Sequence, residues 1–148
     1  MTIAIGADHA GYAAKEHLKA WLAERSHDVV DLGTNGEASV DYPDFASRVG
    51  RAVVAGEAPL GVLICGSGIG MSIAANKMAG VRAAHCTDGY QARVARQHND
   101  VNVLCLGARV SGFGVMEDAL ESFLGHRFEG GRHAARVEKI QRLDRSAS

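Results

Sequence analysis

The sequence has no excess of basic charge, no long apolar run and no paired-cysteine motif, and each lack removes a class of function. Sixteen Lys and Arg stand against seventeen Asp and Glu, for a formal net charge of -1. The non-specific attraction to a phosphate backbone that nucleic-acid binders use therefore has no global source, and no nucleic-acid partner is expected. The longest apolar stretches, such as residues 60–65, fall far short of the ~20 residues needed to span a bilayer, so no membrane association is expected. Cysteines are few: Cys65, Cys86 and Cys105 are odd in number, widely spaced and free of any Cys-x-x-Cys pair. Neither a disulfide framework nor a thiolate zinc site has that pattern. Cys86 and Cys105 read as small buried hydrophobes. The opening Met1-Thr2-Ile3-Ala4-Ile5-Gly6-Ala7-Asp8 lacks a basic leader and meets an acid early, so no signal peptide is expected and the location read is cytoplasmic.

What is present is a regular alternation. Val-, Ile- and Leu-rich runs at residues 2–6, 28–33, 60–66, 81–86 and 101–107 are apolar at nearly every position, as in strands covered on both faces. Between and after them, helical spacing predicts helices over 12–25, 43–55, 69–78, 90–98, 113–123 and 132–143. Pro43 suits the first turn of the second helix. The last helix reads as basic and amphipathic, with Val137, Ile140 and Leu143 inward. Five such units in 148 residues predict one domain: a Rossmann-like three-layer α/β/α sandwich with a five-stranded parallel sheet and a C-terminal helix, ending in a frayed tail at 144–148. In such sheets ligands gather at the carboxyl ends of the strands.

The densest chemical signal is Cys65-Gly66-Ser67-Gly68-Ile69-Gly70-Met71-Ser72, a strand running into glycines and then a helix. Glycines let the backbone approach a ligand closely, and unpaired N–H groups at a helix start suit an anion or a developing oxyanion. A dinucleotide fingerprint needs wider glycine spacing and an acid at the end of the next strand, and a Walker loop needs a lysine. Cys65 has two readings, a core thiol or a base beside a helix start. Ser67 is a loop hydroxyl or an oxyanion donor. Asp8, in Gly6-Ala7-Asp8-His9-Ala10-Gly11, suits either capping the first helix or contacting substrate, and His9 suits phosphate pairing or proton transfer.

His98 and Asn99 lead into the fifth strand, where a histidine serves the helix dipole or acid–base chemistry. Asp8, His9, His98 and Cys65 also supply metal-ligating atoms, but no His-x-x-x-His or comparable spacing supports a metal site, and none is predicted. Arg109 ends the fifth strand; Arg132 and Arg136 fall one helical turn apart, a pattern suited to phosphate or to a solvated basic face.

These segments, with Asp41-Tyr42-Pro43, the run from Cys65 to Lys77, and Gly130-Gly131-Arg132-His133, resemble in order the motifs of the ribose-5-phosphate isomerase type B family, which includes galactose- and allose-6-phosphate isomerases. The resemblance implies an aldose–ketose isomerase converting ribose 5-phosphate to ribulose 5-phosphate through a cis-enediolate, with no cofactor and no metal. It implies Cys65 as the base, His98 opening the sugar ring with Asp8 assisting, and Ser67 with Gly66, Gly68, Ile69 and Gly70 holding enediolate oxygens. His9, Tyr42, Asn99, Arg109, Arg132 and Arg136 are implied to bind hydroxyls and phosphate. Members lacking the cysteine carry a glutamate where this chain has Met71, so the chain resembles the cysteine subgroup. Serine at 67 departs from the usual threonine but keeps the hydroxyl. The resemblance further implies a homodimer or dimer of dimers with sites shared between subunits. The alternatives are an isomerase of allose, galactose or tetrose phosphate, or a non-catalytic sugar-phosphate-binding subunit.

Overall fold

The computed structural model describes residues 1–146. Five parallel strands are present: β1 (Thr2–Ala7), β2 (Asp28–Asp31), β3 (Leu60–Cys65), β4 (Ala83–His85) and β5 (Val103–Gly107). They lie in the order β2-β1-β3-β5-β4. The helices are α1 (Tyr12–Glu24), α2 (Tyr42–Val54), α3 (Ile69–Ala75), α4 (Gly89–Asn99), α5 (Phe113–Leu124) and α6 (Ala134–Ser146).

Alternation along the buried strands sorts the core into two layers. Ile3, Ile5, Val62, Ile64, Leu104 and Leu106 face α1, α4 and α5 with Leu18, Leu22, Met116, Leu120 and Phe123. Ala4, Leu63, Cys65, Val103 and Cys105 face α2 and α3 with Phe45, Val49, Val53 and Met71. Side chains of adjacent strand residues point to opposite faces, so a strand apolar at every position feeds both layers. Each fully buried Leu, Ile or Phe contributes about 1.5–3 kcal/mol relative to exposure.

Local chemistry sets the helix starts. In α4, Asp88 Oδ1 accepts the Gln91 N–H at 2.7 Å, and Gln91 Oε1 in turn accepts the Thr87 N–H at 2.7 Å, a reciprocal cap. Gly11 precedes α1 as its N-cap, packed so closely on β3 that an added Cβ would sit 2.4 Å from the Ile64 carbonyl oxygen. Only glycine lets the helix meet the strand there.

The connection from β1 leaves toward β2 on one face, whereas the connection from β3 leaves toward β4 on the other. That reversal opens a crevice at the carboxyl ends of β1 and β3, the place where ligands bind in open α/β sheets.

α1 carries a cation on its buried face. Lys15 is 0% exposed, with its Nζ donating to Asp31 Oδ2 at 2.7 Å and to Glu16 Oε1 at 2.8 Å; Lys19 donates to the same Asp31 oxygen at 2.7 Å. Burial opposes ionisation of Asp31, but hydrogen bonds from Lys15, Lys19 and the Gly33 N–H outweigh it and hold the carboxyl below its ordinary range. A depressed carboxylate contributes stability that is complete above its unfolded pKa and is lost as pH falls through the folded value. Lys15→Met keeps the buried stem and removes the ammonium. The expected result is a loss of about 2 kcal/mol at neutral pH and an acid-unfolding midpoint moved to higher pH, read by circular dichroism. An unchanged midpoint contradicts this reading of the network.

The C-terminal segment departs from expectation. Gly131–His133 form a 3-10 turn before α6, so Arg132 and Arg136 do not share one regular helix. Gly130 and Gly131 both have positive φ, which sets the turn apart from the helix that follows. Val137 is buried, but Ile140 and Leu143, expected inward, are 43% and 67% exposed. α6 continues through Ser146, into the tail expected to fray; residues 147–148 of that tail lie outside the described residues.

Candidate active site

β1 and β3 deliver the two densest motifs to the crevice. After β3 the chain turns through Cys65-Gly66-Ser67-Gly68 into α3. Gly68 takes φ +81, and its N–H donates to Cys65 Sγ at 3.1 Å. Cys65 is 4% exposed and Ser67 Oγ accepts the Ile69 N–H at 3.2 Å. The contact fixes the sulfur at the point where the loop turns into α3.

A cavity of about 570 Å³ opens here, lined by Asp8, Tyr42, Cys65, Gly66, Ser67, Ile69, Gly70 and Arg109, with Ile73 and Val110 at its apolar side. Asp8 reaches it from the end of β1. Its Oδ1 accepts the Gly11 N–H at 3.1 Å, so the carboxylate braces the turn into α1 from three residues upstream and also faces the cavity. The two uses expected of Asp8 are therefore compatible. The Tyr42 ring lies directly against Gly70, and Arg109 against Gly66, each where a Cβ would intrude. His9 stands beside Asp8, with Nδ1 accepting the Val40 N–H at 3.2 Å.

The other expected site residues are elsewhere in the chain. α4 runs back along the sheet, so His98 and Asn99 at its end lie toward the amino ends of the strands, opposite Cys65. His98, Asn99, Arg132 and Arg136 do not line the Cys65 cavity. Within one chain, the residues expected at the site thus fall into two separate groups. His98 stacks on His133, with ring centroids 4.3 Å apart and planes 12° from parallel, and its Nε2 is 3.7 Å from Glu129 Oε1. Burial first, then the charges of His98 and Arg132, hold His133 below the ordinary histidine range. His98, Glu129 and His133 bring three donor atoms within 4.8 Å of one another. Two nearly parallel stacked rings cannot both aim a lone pair at one ion, so this geometry does not converge on a metal.

Glu129 and His133 escaped sequence reasoning as chemical groups. The Gly130-Gly131-Arg132-His133 motif could have singled out His133, whereas nothing local marks Glu129. A larger cavity, about 800 Å³, lies toward the amino ends of the strands, and two of its three lining arginines, Arg82 and Arg96, are engaged by Asp100.

A parallel α/β domain with a glycine-rich thiol loop at its topological switch point defines the class, and comparison with known proteins narrows it. The sequence model of the Ribose/Galactose Isomerase family matches residues 3–140. The chain is 48% identical over 142 residues to ribose-5-phosphate isomerase B of Escherichia coli, covering 96% of this chain and 95% of that protein. The solved Clostridium thermocellum ribose-5-phosphate isomerase B superposes with a TM-score of 0.99 at 49% identity over the whole of both chains. Type B ribose 5-phosphate isomerase from Trypanosoma cruzi gives a TM-score of 0.95 at 47% identity, covering 99% of each chain. The chain belongs to the ribose/galactose isomerase family.

Proposed function

We propose that the chain interconverts ribose 5-phosphate and ribulose 5-phosphate, with Cys65 as the base. The observation that carries this is Cys65 Sγ, held by the Gly68 N–H in a cavity shared with Asp8, Ser67 and Arg109. The names and close similarity of the relatives support the pentose phosphate as substrate.

Bound in open-chain form, the aldose presents its carbon 2 proton to the Cys65 thiolate. Abstraction moves the C–H electron pair into a C1–C2 double bond, and the carbonyl oxygen becomes an enediolate oxygen. The Ser67 hydroxyl and the N–H groups of the glycine loop stabilise that charge. The Cys65 thiol returns the proton to carbon 1, and a proton passes between the two oxygens to leave the ketose. No electrons enter or leave the pair of molecules, so the step needs only an acid–base group and a preorganised anion site. Arg109 adds positive charge at the rim, and Tyr42 and His9 offer hydrogen bonds to sugar hydroxyls or phosphate.

We further propose a homodimer in which the site is completed across the interface: His98 opens the furanose ring, Asn99 binds a hydroxyl, and Arg132 and Arg136 bind phosphate in the Cys65 cavity of a second copy. The placement of these four residues away from their own Cys65 cavity supports this, as does the exposed apolar surface of Ile69 and Ile73 beside that cavity. A cytoplasmic location fits a base that works as a free thiol, since a reducing compartment keeps it so. The experiment that tests the reaction is conversion of ribose 5-phosphate in deuterated water by the purified protein, with ribulose 5-phosphate and label at the exchanging carbon as the expected outcome.

A further inference from the structure

His85 ends β4, and its register opposite Cys105 and alternation with Ala84 turn its side chain to the α3 face of the sheet. An added Cβ on Gly68 would lie 2.5 Å from the His85 Cδ2 and 2.9 Å from its Nε2, so the imidazole edge fills the space beside that glycine. His85 Nε2 is buried without a hydrogen-bond partner among the described residues. A buried nitrogen left unpaired adds a desolvation cost and no bond of its own, so the ring is not held in place by polar pairing. What the ring does touch is the residue whose N–H holds Cys65 Sγ.

We propose that His85 is a positioning residue for the isomerase base: its ring backs the Gly68 turn and thereby keeps the Gly68 N–H aimed at Cys65 Sγ. The inference rests on the proposed role of Cys65. A glycine at positive φ has a broad choice of conformations, and the turn needs a wall to select one. The Leu106 backbone, 3.0 Å from the same added Cβ, supplies one wall, and His85 supplies the other. Removing the ring frees the turn to swing into the vacated space, and the N–H leaves the sulfur. His85 is not a lining residue of the cavity, so its effect runs through Gly68 and not through contact with substrate.

The test compares His85→Ala and His85→Phe with the unaltered protein in two assays. The first reads kcat and KM for ribose 5-phosphate. The second reads the rate at which iodoacetamide alkylates Cys65, located by peptide mass spectrometry, and needs no substrate. For His85→Ala the expected result is a kcat lowered about tenfold, KM within about twofold, and alkylation slowed in step, since the N–H stabilises only the thiolate. His85→Phe restores a ring at the wall and is expected to recover most of both rates. Gly68→Ala is expected to cost less in the His85→Ala background than alone, because the two changes contend for one space. A folded His85→Ala protein with unchanged kcat and alkylation rate overturns the proposal. So does a loss of melting temperature alone, with both rates intact, since that marks a purely structural role. If the unaltered protein fails to turn over ribose 5-phosphate, the reading of the reaction falls, while the alkylation comparison still judges His85.

Discussion

Cys65→Ala is expected to lower kcat for ribose 5-phosphate at least about a hundredfold while KM changes less than about threefold, because a positioned general base contributes 10²–10⁴ and acts only as the proton moves. The phosphate and hydroxyl contacts that set ground-state binding remain in the variant, which separates the two parameters. The other thiols serve as internal controls. Burial, with the charge of Asp88 next, pushes Cys86 up to about 11. Burial, followed by the nearby Cys65 and Cys86, pushes Cys105 up further still. Both stay protonated at neutral pH and cannot act as bases there, so Cys86→Ala and Cys105→Ala are expected to retain kcat apart from small packing losses. A Cys65→Ala protein that keeps more than about a tenth of the rate contradicts the assignment, since a base cannot contribute so little.

The second large effect is expected from mixing two inactive proteins. In the proposed roles, Cys65→Ala removes the base and His98→Asn removes the ring-opening imidazole, so each alone is expected to be nearly inactive on the cyclic sugar. If a site takes Cys65 from one copy and His98 from the other, a heterodimer of the two variants contains one site with both defects and one intact site. Co-expressed with different affinity tags and purified through both, it is expected to show about half the kcat of the unaltered dimer, as two-fold symmetry dictates. A site built within one chain predicts the opposite: every site in the heterodimer is defective, and activity stays at the level of the parents. The split of the expected residues within one chain, with His98 stacked on His133 away from the Cys65 cavity, is what makes the experiment decisive.

Much of the fold was legible because its signals are local. Runs such as Leu60–Cys65 are apolar at every position, which two covered faces require, and Pro43 marked a helix start that the structure bears out. The strand order was not legible, since it depends on which faces meet across long separations in the chain. The carboxyl ends of the strands, singled out in the sequence as the place to look for chemistry, are where the cavity lined by Asp8, Cys65 and Arg109 opens, because that rule needs only the order of elements and their loops.

The misses came from tertiary context. Helical spacing rightly found an apolar stripe at Val137, Ile140 and Leu143, but a stripe does not say how deeply each position is buried: Val137 is buried, whereas Ile140 and Leu143 are largely exposed. Gly130 and Gly131 were read as the lead-in to a helix, whereas their positive φ values set off a separate turn around Arg132. Lys15 falls on the apolar stripe of α1, three residues before Leu18 and seven before Leu22; that conflict with the pattern was readable and signals a buried ion pair. His85 carried no such mark. Its significance lies in contact with Gly68, seventeen residues earlier in the chain, and no spacing rule reaches that far.

The central claim is that this chain moves a proton between adjacent carbons of a sugar phosphate through an enediolate. The most direct measurement is incubation of the purified protein with ribose 5-phosphate in deuterated water, without added metal, followed by NMR. The account predicts ribulose 5-phosphate with deuterium at the exchanging carbon, unaffected by a chelator and absent in Cys65→Ala. A folded protein that gives neither ketose nor exchange with ribose 5-phosphate contradicts the account; exchange with allose 6-phosphate or a tetrose phosphate in its place would move the substrate assignment to that sugar.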